Sequence, residues 1–253
     1  MTNAGKGTDY MNEPSQVAEG TKLSGLIPVT TSTRSDEATR TIRHALLTGQ
    51  LVPGQRVKEI DLAAVLNVSR QTAREAMGEL IHEGTLVREP YKGVRVAEIT
   101  PQDVMDVSEI RLSLETLAAL RIASQPDRAG LQRLKEALEV HLTALDSGDV
   151  VSADLTHLDF HRTMYEAAGN PLLIKIWPLV AARIQMAITL DQSVRQDPER
   201  DRELHQRLYD TIAAGDPEAI SAEVKYHVQD AAKEIAPTMD KRKASGHPPG
   251  HPM

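Results

Sequence analysis

Four histidines in the second half of the chain are spaced for metal chemistry. His157 and His161 are four residues apart, a separation that puts two imidazoles on one face of an α-helix about one turn apart, where they can share an ion. His205 and His227 fall in two later helical stretches, so a helical bundle can bring four nitrogen ligands to one buried point. Imidazole suits zinc, nickel, cobalt or iron, and the spacing does not choose among them. The plainer reading stays open here: a chain with 9 His contains such a pair by chance, and an isolated pair also reads as surface or as hydrogen-bonded core. Asp154 lies three residues before His157 and seven before His161, on the same face, where it can orient a ligand or supply a carboxylate. A carboxylate favoured by the dipole at a helix start explains it equally well.

A second set of residues suits nucleic acid. Arg70 and Arg74 project from the same side of a short helix, and guanidinium forks grip phosphate or the O6/N7 edge of guanine. Gln71 and Thr72 beside them can hydrogen-bond base edges or phosphates. Lys92 and Gly93 sit at a turn, where a residue without a side chain lets the backbone approach a duplex closely. Taken alone, that helix reads as an ordinary solvated face. Arg111 stands where the pattern Ile110, Leu114, Leu117 and Ala118 turns inward, so it is expected to point into the bundle. A buried Arg needs an anionic partner, and Glu115 one turn later or a bound carboxylate can be that partner.

These residues need particular elements to position them. Asp36 to Thr48 carries Ala38, Ile42, Ala45 and Leu46 on one face, and Gly49 with Pro53-Gly54 ends that helix. Glu59 to Leu66 forms a second helix. Ser69 caps a third, Arg70 to about Glu83, with Ala73, Ala76, Met77, Leu80 and Ile81 inward. Only Asn67 and Val68 separate Leu66 from that cap, and Asn tolerates the left-handed backbone of a tight interhelical turn. Leu86-Val87-Arg88 and Val94-Arg95-Val96 flank Pro90-Tyr91-Lys92-Gly93 as two strands around a turn. The expected fold is mostly α: a winged helix-turn-helix over 34–100, then an all-helical bundle over 101–236. Its helices are placed near 101–124, 127–146, 151–168, 171–190, 198–214 and 217–235, with one helix broken near 190–200. Residues 1–33 and 237–253 read as disordered tails, the latter with His247 and His251.

Composition narrows the classes. With no cysteine, the chain has neither disulfides nor thiolate ligands nor thiol nucleophiles, which fits a reducing compartment. No run of about 20 apolar residues and no signal-peptide core is read, so the expectation is a cytoplasmic protein without membrane partners. The net charge of -7 is unevenly spread: residues 34–100 carry 10 Lys and Arg against 9 Asp and Glu, and residues 101–236 carry 14 against 23. The acidity belongs to the second half and leaves a local basic face free to form.

The run Gly49-Gln-Leu-Val-Pro53-Gly54, Glu59-x-x-Leu62-Ala63, Val68-Ser69-Arg70-x-x-x-Arg74-Glu75-Ala76, Leu80-x-x-Glu83-Gly84 and Gly93-x-x-Val96 resembles the winged-helix signature of the GntR family. The resemblance implies double-stranded operator DNA as partner, contacted by Arg70, Gln71, Thr72, Arg74 and Gly93, and a homodimer with one recognition helix per half-site. Gln71-Thr72 stands where Thr-Pro is common, Asn67 where Gly is common, and Ile60 where some members have Arg. Residues 101–235 resemble the FCD effector domain of the FadR-like subgroup, with Arg111-x-x-x-Glu115, Phe160-His161 and Gly169-Asn170. In its metal-binding members an Asp four residues before a histidine and two later histidines hold a divalent ion. His161, His205 and His227 match the histidines, and His157 stands at the Asp position, giving a softer site one charge more positive. The expected cofactor is a divalent ion, zinc or nickel foremost, and the expected effector a small carboxylate held by Arg111, Asn170 and the metal. The resemblance implies a ligand-controlled repressor. Its rivals are a regulator that senses the ion itself and a metal-dependent enzyme fused to a DNA-binding module. Four protein nitrogens tend to close a metal to catalysis, so no enzyme activity is expected.

Overall fold

The computed structural model describes residues 34–190, 197–234 and 236–237. Both expected tails, apart from Pro237, and most of the expected helix break near 190–200 lie outside the described residues.

The N-terminal part contains α1 (Arg34–Leu47), β1 (Arg56–Val57), α2 (Glu59–Val65), α3 (Arg70–Glu83), β2 (Leu86–Glu89) and β3 (Gly93–Val96). Ala38, Ile42 and Leu46 of α1 meet Ala76, Met77 and Leu80 of α3 in a core closed by Leu86, Val94 and Val96. Ser69 caps α3 by accepting a hydrogen bond from Thr72 N at 3.0 Å, and Asn67 in the turn takes φ 51. The sheet has three strands in the order β1-β3-β2, all neighbours antiparallel. The expected hairpin is β2 and β3. β1, two residues long, is an addition that only its pairing with Val94 and Arg95 reveals.

The remaining elements are helices: α4 (Pro101–Ala123), α5 (Ala129–Ser147), α6 (Val150–Ala167), α7 (Pro171–Leu190), α8 (Pro198–Ala214) and α9 (Pro217–Lys225), the last running into a π turn, Tyr226–Asp230. Short side chains start them. Thr100 and Asp103 cap α4 reciprocally, and Asp149, Asp197 and Asp216 accept from backbone amides at the starts of α6, α8 and α9. α5 begins later than its apolar pattern suggests because Arg128 sits at φ 55 and Gln125 Oε1 takes the Gly130 amide at 2.7 Å. Ile122, Leu134, Phe160, Met164, Leu208, Ile212 and Ile220 fill the centre of the bundle.

The expectation for α4 needs one correction. Its inward face is made by Val104, Ser108, Glu115, Ala118, Ala119 and Ile122, whereas Ile110 and Leu117 are exposed. Apolar residues occur on most sides of this helix, so spacing alone does not choose which side is buried. In α7, the window Pro171–Ile188 has a mean hydropathy of 1.4 and is long and apolar enough to cross a membrane, and half of it is buried inside the protein.

α7 also ties the two parts together. Arg183 Nη1 donates to Gly84 O and Gln185 Nε2 to Arg43 O, both at 2.9 Å. Beside them Ala97 and Ile99 pack with Val104, Met186, Ala187 and Ala232. Gly84 ends α3 at φ 82, and a Cβ there would lie 3.1 Å from the Arg183 guanidinium. Gly84→Ala is therefore expected to cost about 1–2 kcal/mol in backbone strain, lowering the thermal midpoint by several degrees in calorimetry. An unchanged midpoint would show that neither the cap nor the joint matters to stability.

Candidate functional site

Two sites take shape. On the first, Arg70, Gln71 and Arg74 are exposed along the first turns of α3, and Thr72 is half-buried. Arg74 is held in place by α2: its Nε lies 3.2 and 3.1 Å from the two carboxylate oxygens of Glu59, and its Nη2 lies 3.0 Å from Oε2. Those hydrogen bonds from Arg74 hold the Glu59 carboxyl below its ordinary range. Gln71 donates to Glu75 and Thr72 Oγ1 lies 2.8 Å from Ser69 Oγ. Lys92 pairs with Glu89 at 3.2 Å, and Gly93 opens β3 at φ 89. Tyr91, fully exposed at the wing tip with φ 63, is a neighbour that sequence reasoning passed over.

The second site is inside the bundle. His161 on α6 and His227 on the π turn face each other with their Nε2 atoms 3.3 Å apart. Two nitrogens bound to one tetrahedral ion at about 2.0–2.1 Å stand roughly 3.3–3.4 Å from one another. His205 on α8 completes a trio whose ligand atoms all lie within 4.8 Å. Its Nδ1 donates to Asp201, with the carbonyl 2.8 Å away and Oδ1 2.7 Å away, which leaves Nε2 as a buried lone pair without a hydrogen-bond partner. A carboxylate-anchored imidazole with its other nitrogen bare is the donor arrangement metal ligands use. His161, His205 and His227 therefore fit a divalent ion. The π turn, with one residue more than an α turn, is what carries His227 to this point.

His157 stands with a different group. One ligand atom of His157 lies within 4.8 Å of atoms from His141, Asp201 and His205. Neither His141 nor Asp201 was anticipated. Asp201 carried a usable signal, since it precedes His205 by four residues and shares its face; His141, on α5, has no such local partner. Asp154 is buried and lines a small cavity with His157 and Asp201.

A cavity of about 220 Å³ opens against the trio; its polar lining is Ser108, Arg111, His157, Asp197, Arg200, Asp201, His205, His227 and Glu234, and the rest is apolar. Arg111 reaches it while bound to the fully buried Glu115, Nε to Oε1 at 2.6 Å, and its Nη2 lies 3.4 Å from His161 Nε2. Glu115 thus satisfies the guanidinium without any ligand. Asn170 stands apart from this group. It does not line the cavity, and its Oδ1 accepts from Leu172 N at 3.1 Å as a cap on α7, as expected of an Asn placed just before a helix-starting Pro.

Burial is the largest influence on the imidazoles, holding His141, His161 and His227 below the ordinary range and lowering His157 from 6.5 to about 4. Burial pushes the Asp201 carboxyl up, but the surrounding His205, His141 and His157 outweigh it and hold the group far below its usual range. The signs set a pH dependence. Imidazoles kept neutral in the folded chain take up protons on unfolding, so their contribution to stability is complete above about pH 6.5 and is lost towards pH 4. In chelator-treated protein the thermal midpoint should already fall between pH 7 and 5.5, above the range where carboxylates titrate; a flat midpoint there would contradict neutral burial.

Known proteins share both parts of this fold. Residues 34–96 match the bacterial regulatory proteins of the gntR family, and residues 106–230 match the FCD domain. The chain is 28% identical over 181 residues to a probable D-xylose utilization operon transcriptional repressor of Paenarthrobacter nicotinovorans, covering 71% of this chain and 79% of that protein. It is 30% identical to the Nta operon transcriptional regulator of Aminobacter aminovorans, covering 70% and 82%. A solved structure described as a putative GntR transcriptional regulator from Rhodococcus sp. RHA1 superposes with a TM-score of 0.69 at 25% identity, covering 81% of this chain and 98% of that one. The chain therefore belongs to the gntR family of bacterial transcription regulators, with its winged helix joined to an FCD domain.

Proposed function

We propose that this regulator is a repressor that grips a two-fold operator as a homodimer, and that a small carboxylate bound beside a divalent ion in the helical domain lowers its DNA affinity. Arg70, Gln71, Thr72 and Arg74 enter the major groove, and Lys92 and Gly93 hold the wing against the backbone. The name of the Paenarthrobacter relative supports repression. For the homodimer the support is apolar surface: Leu172, Ile176 and Leu179 recur along one side of α7, and Ile110 and Leu117 are exposed on α4, against which α7 packs. The reading puts the protein in the cytoplasm with the DNA it binds.

The observation that carries the effector reading is a set of shared side chains. Val104, Ala187 and Ala232 line the 220 Å³ cavity and also belong to the buried cluster that includes Ala97 and Ile99, the residues leading out of the wing. A ligand that repacks that wall acts directly on the joint to the DNA-binding part. At the cavity Arg111, paired with Glu115, and Arg200, paired with Glu234, are the cations a carboxylate could recruit, with His161, His205 and His227 beside it to hold zinc or nickel. The ion would supply a positive centre for the acid, and Arg111 would orient it by exchanging part of its pairing with Glu115.

Operator binding measured by fluorescence anisotropy tests this. A panel of small mono- and dicarboxylates, added with and without zinc or nickel, should include one that weakens binding by roughly 5- to 150-fold when metal is present. Arg111→Ala should blunt that response and leave unliganded binding intact. If metal alone reproduces the full effect, the ion is the effector and the carboxylate role falls. Arg74→Ala should weaken specific binding on the order of tenfold or more while the thermal midpoint stays in place; normal operator affinity in that variant would remove α3 as the reading helix.

A further inference from the structure

The three-histidine trio leaves a second cluster of ligand-type side chains unused, and we propose that it is a second divalent cation site. Its ligands are His141 from α5, His157 from α6 and Asp201 from α8, so three helices each contribute one. His141 Nε2 stands 3.5 Å from Asp201 Oδ2, and His157 Nδ1 stands 3.8 Å from Asp201 Oδ1. These separations are too long for strong hydrogen bonds and suit donors arranged around a common ion. His141 is fully buried, its Nδ1 is 3.0 Å from Thr156 Oγ1, and its Nε2 has no hydrogen-bond partner while it faces the carboxylate. A buried nitrogen turned towards an anion yet bonded to nothing is costly in an apolar bundle, and a cation between them removes that cost.

The site is distinct from the trio but joined to it. His205 belongs to the trio through Nε2, while its Nδ1–H is donated to Asp201 Oδ1. Asp201 thus steadies a ligand of the first ion with one oxygen and offers the other towards His141. Two imidazole nitrogens and a carboxylate select a first-row divalent ion of borderline softness, such as zinc, cobalt or nickel, over calcium or magnesium. His157 and Asp201 line both the 220 Å³ cavity and a separate one of about 140 Å³, so the second ion sits in the wall between them. Open coordination positions can then be filled from the smaller cavity without involving the larger.

Full-length protein stripped with chelator and titrated with cobalt(II), followed by visible absorbance and by metal content after desalting, tests the proposal. Wild-type protein should hold two equivalents. His141→Gln should hold one, His227→Ala should hold one, and the combined variant none, with circular dichroism reporting the fold of each. His157→Ala, at a partly exposed position, serves as the second variant should His141→Gln fail to fold. One equivalent in the wild type, lost in His227→Ala and kept in His141→Gln, would overturn the second site and leave the first standing. No bound cobalt at all would overturn both.

Discussion

A carboxylate inside an apolar bundle needs polar or cationic neighbours, and two such groups determine how the helical domain is built. Asp201 is bonded by His205 and faced by His141 and His157; Glu115 is fully buried against Arg111, with His161 Nδ1 3.2 Å away. Five imidazoles, those of His141, His157, His161, His205 and His227, pack edge-on or tilted between these two anions with ring centroids 4.7 to 5.8 Å apart where they touch. The ring of helices α4, α5, α6, α8 and the π turn is held by this polar array as well as by the leucine and isoleucine core around it. Displacing one helix would strand a charge, a penalty of several kcal/mol that ordinary core packing does not impose. That gives the interior one preferred arrangement and makes it responsive to anything that alters its charge.

The array touches the DNA-binding part through few intermediaries. Arg111 and Ser108 on α4 face the cavity, and Val104 one turn earlier packs under the wing exit. α7 works in the same sense from the other side, with Ile184 and Ala187 at the cavity and Arg183 and Gln185 at the joint. Because cavity and joint residues share the same short stretches of α4 and α7, with Val104 and Ala187 belonging to both, no loop lies between the two.

Most of the architecture was legible in the chain because short-range chemistry marked it. Ser69, Thr100, Asp149, Asp197 and Asp216 announce helix starts, and the glycines at 84, 148 and 215 close helices with positive φ. The parts that were not legible depend on tertiary contact. β1 is too short to alternate and exists only through its neighbour strand. The exposed side of α4 could not be told from its buried side by apolar spacing. His141 enters its cluster from a helix with no other ligand on that face, and the π turn that delivers His227 leaves no mark in composition. Asn170 matches a family motif, and its visible task in the structure is to cap α7.

One feature of the joint bears on how such a regulator changes over time. Both hydrogen bonds that α7 makes to the DNA-binding part end on main-chain oxygens, of Gly84 and Arg43. Those acceptors survive when side chains are exchanged, so the outward residues of α3 are free to change while the linkage between the winged helix and the helical domain stays intact. The surface of one part and the interior of the other can thus evolve on separate schedules within one polypeptide.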